Sequence, residues 1–166
     1  LLEKAVIDLK NGNSISRLIT MIDIGVTGKI PEAYIASQTR RLTMYRRLAD
    51  CDNQDSVRGV VADLQSGYGD LPEAIRKLVQ YHELRVASSE LGILSMTVDE
   101  RDVVIRTKQS KALNRQMQGA KGTLRPVGTA SASGFVAVYF RPSGANKPSA
   151  LLELLHSKLV ESSSLT

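Results

Sequence analysis

The stretch that decides the fold is Asp63–Gly92, which begins Asp-Leu-Gln-Ser-Gly-Tyr-Gly-Asp-Leu-Pro. Two glycines, Gly67 and Gly69, predict the end of a first helix, because glycine accepts the left-handed conformation found at helix C-caps. The residues before this turn and after it both show apolar positions at helical spacing. We therefore expect two helices joined by a tight turn.

The second of these helices is predicted to be capped by Asp70 or Leu71, with Pro72 in its first turn, where a missing N–H is tolerated. Its apolar residues recur at the spacing of one helical face, which indicates a buried stripe. That stripe consists of Ile75, Leu78, Val79, Leu84, Val86, Ala87 and Leu91, and Gly92 closes the helix. We expect this helix to be the core of a small domain.

Composition narrows the class of protein without naming a function. The 166 residues are 42% hydrophobic and carry a net charge of +5, which permits a phosphate-binding surface but does not require one. No apolar run has the length of a membrane span, and no signal-peptide pattern is present. Together with the single Cys51, this favours a reducing, cytoplasmic location with no membrane partner. A helical pattern starts abruptly at Leu1, so we expect a fragment of a longer protein.

The region before Asp63 reads as mostly helical. We predict a helix over 2–10, a turn at 11–14, an extended run over 17–27 and an irregular segment pinned by Tyr34 and Ile35. Ser37 is expected to cap a helix over 38–50, and Asn53 or Asp55 a helix over 55–66. The inward stripe of the helix over 38–50 is predicted to be Leu42, Tyr45, Leu48 and Ala49.

After Gly92 the pattern changes to strands. The runs 94–98 and 103–106 flank a short polar connection and predict a hairpin, and 109–118 and 123–127 predict a short helix and a further strand. The run 135–140 is apolar on both faces, so we expect a central, covered strand. Pro148 opens a last amphipathic helix, followed by a frayed tail over 162–166. The fold class is therefore α+β: a helical half over about 30–92, then a small mixed sheet with packed helices over about 93–162.

Motifs for catalysis or cofactors are not found. His82 and Glu83 begin like a zinc motif, but Val86 stands where the second imidazole ligand belongs, so His82 is predicted to be structural. His156 is predicted to lie at the surface. No phosphate-binding Gly-Lys-Ser/Thr loop occurs, and Pro72 replaces the third glycine of a dinucleotide loop. We predict no catalytic residue, no cofactor and no metal.

Basic residues form two clusters along the chain. One is on the helix over 38–50, and the other follows the predicted hairpin; they comprise Arg40, Arg41, Arg46 and Arg47, then Lys108, Lys111, Arg115, Lys121 and Arg125. Either could contact phosphates, but no aromatic residues alternate with them in the sequence for base stacking. A solvated helix face is the commoner explanation.

Three adjoining blocks resemble the C-terminal domain of bacterial transcription-repair coupling factors, the TRCF family that includes the Mfd translocase. The first block joins Ile30-Pro31-Glu32-Ala33-Tyr34-Ile35 to Arg41-Leu42-Thr43-Met44-Tyr45-Arg46-Arg47-Leu48-Ala49. The second is Asp63-Leu64-Gln65-Ser66-Gly67-Tyr68-Gly69-Asp70-Leu71-Pro72-Glu73, and the third is Leu84-Arg85 followed by Leu91-Gly92-Ile93. Each block alone is weak, but their order and spacing are specific, and the resemblance covers residues 1–106.

The resemblance implies one part of a larger machine. Family proteins use ATP to translocate on DNA, recognise stalled RNA polymerase and recruit UvrA for excision repair. The motor would lie upstream, with residues 1–12 as its last helix and linker and 13–166 as the C-terminal domain. In the family that domain packs on a UvrB-like module of the same chain and covers the UvrA-binding surface.

The same resemblance also implies which residues make the contact with the UvrB-like module. Where the family has an Asp-Arg dipeptide before its aromatic-Gly pair, this chain has Ser66-Gly67, while Asp63 is kept. Losing an arginine removes bidentate contacts. The partner-binding residues implied are Asp63, Ser66 and Gly67, with Arg41 and Arg47 as alternative contacts for an acidic partner.

Three functional hypotheses remain open at the level of sequence. The first is a non-catalytic, autoinhibitory interaction domain of a coupling factor. The second is an accessory domain that contacts nucleic acid through basic helices. The third is an enzyme whose site is assembled from dispersed residues, which would require a deep pocket with converging titratable groups.

Overall fold

A computed structural model describes residues 18–128, 130–144 and 147–160, which form five helices and five strands. In chain order these are β1 (Met21–Asp23), α1 (Gln38–Asp50), α2 (Gln54–Tyr68), α3 (Glu73–Glu90), β2 (Ile93–Asp99), β3 (Asp102–Thr107), α4 (Ser110–Gln116), β4 (Gly122–Val127), β5 (Val136–Pro142) and α5 (Pro148–Leu159). The predicted α+β class is confirmed. The expected helix over 2–10, the turn at 11–14 and the tail at 162–166 lie outside the described residues.

The helix caps follow local sequence signals. The Ser37 side chain accepts a hydrogen bond from the backbone N–H of Arg40, as predicted for the cap of α1. Of the two candidates for α2, Asn53 is the cap, and its side-chain oxygen accepts from the N–H of Ser56 at 2.8 Å. A cap needs a side-chain oxygen just before the first turn, which is the position of Asn53.

The turn between α2 and α3 differs in detail from the prediction. Gly69 is the C-cap of α2, with φ of 88°, whereas Gly67 lies inside the last helical turn. One left-handed residue suffices to end a helix, so Gly67 is not needed as a stop. Pro72 itself is the N-cap of α3, and its carbonyl accepts from the N–H of Ile75. Tyr34 fastens this turn, since its hydroxyl donates to the Gly69 carbonyl at 2.7 Å.

The strands form one mixed sheet in the order β1-β2-β3-β5-β4. Strand β1 is parallel to β2, and every other neighbouring pair is antiparallel. The predicted extended run over 17–27 contributes only Met21–Asp23 as a strand in its described part. Strand β5 is interior, but it is covered on one face only: Val138 and Phe140 are buried, while Ala137 and Tyr139 are half-exposed on the other. Helices α3, α4 and α5 all contribute core residues to that one buried face.

Two hydrophobic clusters make up the core, and α3 contributes to both. One cluster joins the inner sheet face to α4, α5 and one side of α3, including Leu84. The other joins α1 and α2 to α3 and includes Leu64 and Ile75. A helix with two buried sides explains why α3 has eight buried residues.

Helix α1 buries less than its stripe predicted. Leu48 is fully buried and Tyr45 is half-buried, but Leu42 is 48% exposed and Ala49 is also exposed. The prediction that Leu42 and Ala49 face inward is therefore wrong. Helix α1 lies at the outside of the domain and contacts α2 and α3 along a narrow strip. A single turn of α1 therefore makes most of its buried contacts.

Candidate interaction surface of the helical half

The structure joins two of the five predicted partner-binding residues across α1 and α2. Arg47 Nη2 lies 2.5 Å from Asp63 Oδ2, and the two side chains are 40% and 56% exposed. An ion pair this exposed contributes about 0 to 1 kcal/mol to stability, because water screens it. The pair therefore orients two opposite charges at the surface more than it holds the fold together.

Ser66 and Gly67 extend this surface along α2. They follow Asp63 by three and four residues, so they lie on the same helical face as the carboxylate, and both are exposed. A Cβ placed on Gly67 would meet no atom within 4 Å. Gly67 stands where the family pattern has an arginine, and the open space beside it could hold a longer side chain. We call Arg47, Asp63, Ser66 and Gly67 the α1–α2 surface.

Arg41 is placed differently from the other four predicted residues. Its Nη1 donates to the carbonyls of Ile35 and Ala36, at 2.7 and 2.9 Å. The guanidinium therefore ties the irregular segment before α1 to the helix. A role for Arg41 as a partner contact stays a prediction, and it would have to use the nitrogens left over from these bonds.

Two exposed residues of α1 were not among the predicted site residues. Leu42 and Arg46 are one helical turn apart and both are exposed, so they share a solvent-facing strip. A single exposed leucine is ordinary on a protein surface. The neighbouring residues gave no signal for this difference, because Leu42 and Leu48 each follow a pair of arginines.

A groove of about 360 Å³ runs between α2 and α3 on another side of α2, and it is lined by Val57, Arg58, Val61, Ala62, Gln65, Val79 and Glu83. At its far side Glu83 Oε1 lies 3.4 Å from Nε2 of His156, whose side chain is 13% exposed. The prediction that His156 lies at the surface is therefore wrong. Helix α5 folds back against α3, a long-range contact that no local pattern encodes.

His82 is buried, with 7% exposure, in agreement with the structural role predicted for it. Burial, with a further contribution from the nearby Arg85 cation, lowers the pKa of His82 to about 4. Arg85 Nε donates to His82 Nδ1 at 3.4 Å, which fixes that nitrogen as an acceptor. The same arginine donates through Nη2 to the carbonyls of Leu48 and Cys51 and so holds the end of α1 on α3.

In the described part of the chain, the structure gives no support for a reactive cysteine or for a metal site. Burial raises the pKa of the Cys51 thiol, which donates to the Arg47 carbonyl at 3.2 Å. No group of three or more His, Cys, Asp or Glu side chains within 18–128, 130–144 and 147–160 is placed to hold a metal ion. Over the same ranges, no helix has both the length and the apolar character needed to cross a membrane.

The sheet carries a second charged cluster, centred on Asp102. Arg141 makes two hydrogen bonds to its carboxylate at 2.9 Å, and Arg125 a longer one at 3.3 Å. The bonds from Arg141 hold the pKa of the Asp102 carboxyl below its usual value. A cavity of about 560 Å³ opens beside it, lined by Ile24, Val98, Glu100, Arg101, Asp102, Val103, Arg141, Pro142, Gly144, Lys147, Pro148 and Leu151.

Comparison of sequences finds several bacterial relatives, each named transcription-repair-coupling factor. The chain is 26% identical to the Helicobacter pylori protein over 111 residues, which are 67% of this chain and 11% of that protein. It is 26% identical to the Escherichia coli protein over 119 residues, 69% of this chain and 10% of that one. A Mycobacterium tuberculosis relative is 41% identical over 76 residues, 46% of this chain and 6% of the relative. The chain thus spans about a tenth of the relatives' length.

Comparison of folds agrees with the sequences. The crystal structure of a C-terminal domain of transcription-repair coupling factor superposes with a TM-score of 0.67 at 12% identity, covering 89% of this chain and 96% of that one. At this identity the likeness shows the fold. The family model of the TRCF domain matches residues 24–118, more than half of the chain. The protein therefore belongs to the TRCF domain family.

Proposed function

We propose that this chain is a non-catalytic interaction domain that restrains its parent coupling factor by packing on a UvrB-like module of the same protein. The observation that carries the proposal is the exposed α1–α2 surface, where Arg47 and Asp63 stand side by side. Next to them is the open turn of Ser66 and Gly67. A partner that binds here would meet a positive charge, a negative charge and the open space beside Gly67 within one patch.

Such a patch suits a reversible contact. An exposed ion pair and a few polar neighbours supply modest binding energy, which a change elsewhere in the parent can overcome. A clamp must be worth only a few kcal/mol for its release to shift the population of states. Replacing the family's arginine with Gly67 makes this version of the contact weaker than the family pattern.

The rest of the proposal concerns the parent. We infer an ATP-dependent DNA translocase of the bacterial cytoplasm that contacts stalled RNA polymerase and recruits UvrA. The restraint would cover the UvrA-binding surface until polymerase is engaged. Support comes from the relatives, which are named transcription-repair-coupling factors and are about ten times longer than the matched region.

A non-catalytic role accords with the state of the ionisable groups. The Asp102 carboxylate beside the larger cavity is held by two guanidinium groups, so it is a poor base. His82 is buried against Arg85, away from that cavity. Asp102 and His82 are therefore both engaged in structural contacts and are not placed as a pair of catalytic groups.

Calorimetric titration of this domain against the UvrB-like module of its parent tests the proposal. We expect measurable binding by the natural domain, and weaker binding, by about tenfold, when Arg47→Ala and Asp63→Ala are combined. The double substitution S66D/G67R restores the family dipeptide on an open helical face. It should tighten binding by a similar factor, because the new guanidinium supplies bidentate hydrogen bonds.

A matched control is Arg76→Ala, which removes an exposed arginine from α3 outside the α1–α2 surface. Its affinity should equal that of the natural domain. Absence of binding by both the natural domain and S66D/G67R would sink the proposal. Equal losses from Arg76→Ala and from the Arg47/Asp63 pair would show that the contact lies elsewhere.

A further inference from the structure

The outer face of the sheet, opposite the core, carries an ordered set of basic side chains. The strand register places Val104, Tyr139 and Arg125 in one row across β3, β5 and β4. Arg106 lies two residues along β3 from Val104, and Arg141 two residues along β5 from Tyr139, so both point to the same outer face. We call Arg106, Lys108, Arg125, Tyr139 and Arg141 the basic sheet face.

The charge on this face is only partly neutralised. This face has four cationic side chains, two of which share the Asp102 carboxylate, whose side chain is 10% exposed. Arg125 and Arg141 contact that carboxylate yet remain 53% and 54% exposed. Arg106 is exposed and has no side-chain hydrogen bond or ion pair to any described residue. An anion in solvent would therefore meet free guanidinium surface at three neighbouring points.

Acidic residues of the same sheet lie on β1 and next to the start of β3. Asp23 is on the edge strand β1, and Asp99 and Glu100 are at the turn between β2 and β3. Asp99 pairs with Asp102, and Asp102 together with the nearby Glu100 raises the pKa of Arg141, so this end of the face is partly neutralised. The positive potential is therefore concentrated toward the other end of β3, over Arg106 and Lys108. This asymmetry would direct a polyanion along one half of the sheet.

Aromatic rings alternate with these cations in space, although not in sequence. The Arg125 guanidinium carbon lies 5.8 Å from the centre of the Tyr139 ring. Lys108 Nζ lies 4.9 Å from the centre of the Phe135 ring. Strand pairing brings the two rings to the basic residues from β5 and from the residue before it, a proximity that the order of residues in the sequence does not show.

We propose that the basic sheet face binds single-stranded nucleic acid. Phosphates lie against Arg106, Lys108 and the outer nitrogens of Arg141, while unpaired bases stack on Tyr139 or on the guanidinium plane above it. An open sheet with half-exposed rings can reach the faces of unpaired bases, which a duplex hides within its own stack. The surface is separate from the α1–α2 surface, so this inference does not depend on the proposed restraint.

Fluorescence anisotropy with a labelled oligothymidylate of about 15 nucleotides tests the proposal at several salt concentrations. The double substitution R106A/K108A should flatten the slope of log K against log salt by about 1.4, since each lost phosphate contact removes about 0.7. Tyr139→Leu keeps an apolar side chain but removes the ring, and it should weaken binding about tenfold. Circular dichroism checks that both variants stay folded.

The matched control is R40A/R46A, which removes two exposed arginines from α1. It should leave the affinity and the salt slope unchanged. The proposal is overturned if the natural domain fails to bind at low salt, or if R40A/R46A loses as much affinity as R106A/K108A. It is equally overturned if duplex DNA, or oligoglutamate of equal charge, binds as tightly as the oligothymidylate.

Discussion

At the scale of single residues, the protonation of His82 makes the stability of the folded domain depend on pH. Its pKa falls from 6.5 to about 4 on folding, mainly because burial disfavours the charged imidazole and secondly because Arg85 is close. The unfolded chain therefore binds a proton that the folded chain excludes between these two values. The stability contributed by neutral His82 is complete above pH 6.5 and is lost as the pH falls toward about 4.

We predict that His82→Met flattens the acid limb of the stability profile. In the natural chain, His82 alone should lower the free energy of unfolding by about 2 kcal/mol between about pH 7.5 and about pH 5. Urea unfolding at the two pH values measures the difference. Gln80→Met on the same helix is the control and should keep the natural slope. An unchanged slope in His82→Met would show that His82 is not the group responsible.

Asp102 shows how one carboxylate organises two strands. It receives two hydrogen bonds from Arg141 and one from Arg125, so the strands β4 and β5 are both fastened to the start of β3. We predict that Asp102→Asn lowers the thermal midpoint more than Arg125→Ala, because only the first change disturbs both arginines. Scanning calorimetry of the two variants gives the order. Equal midpoints would mean that Arg141 contributes nothing beyond Arg125.

At the scale of elements, Gly28 decides how the segment after β1 approaches α3. Its φ is +74°, and a Cβ there would lie 2.4 Å from the backbone nitrogen of Leu78 and 2.7 Å from the Ala74 oxygen. Backbone atoms of a packed helix cannot retreat as a flexible side chain does. We predict that Gly28→Ala destabilises the domain by about 2–4 kcal/mol, combining strain and displacement of the segment.

Gly59 is the matched control, because it lies inside α2 and a Cβ there would meet nothing within 4 Å. Gly59→Ala should stabilise the domain by about 0.5–1 kcal/mol through a better helix propensity. Guanidinium unfolding of both variants gives the two values. A mild effect of Gly28→Ala would mean that the segment can move off α3 without loss.

Much at this scale could be predicted from the sequence, because the signals are local. Ser37 and Asn53 cap helices through hydrogen bonds to residues three positions away, and the hairpin of β2 and β3 shows its short polar connection. The sheet order could not be predicted. The contact of His156 with Glu83 and the row of Val104, Tyr139 and Arg125 both join residues far apart in sequence.

The candidate site also has a part that could be predicted from local sequence and a part that depends on long-range packing. Asp63, Ser66 and Gly67 share a helical face, and that could be worked out from their spacing alone. Their meeting with Arg47 required the packing of α1 on α2. Arg41 lies on the same helix as Arg47, yet its bonds to the Ile35 and Ala36 carbonyls depend on the irregular segment before α1.

At the scale of the whole molecule, α3 joins two cores that would otherwise be separate. Leu84 packs toward the sheet, and Leu64 packs on the other side of α3 from α2; both are completely buried. Unfolding one half would strip one side of α3 and leave an apolar stripe in water. We therefore expect the two halves to unfold together, although each has its own cluster.

We predict that Leu84→Ala and Leu64→Ala each cost about 2–5 kcal/mol and that each lowers the protection of both halves equally. Native-state hydrogen exchange is the measurement, with the slowest amides of α2 compared with those of β3 and β5. Val98→Ala, at a sheet position that is 46% exposed, is the control and should change protection by less than about 1 kcal/mol. If Leu64→Ala weakens protection in α2 while β3 and β5 keep theirs, α3 does not couple the cores and the domain consists of two independent folding units.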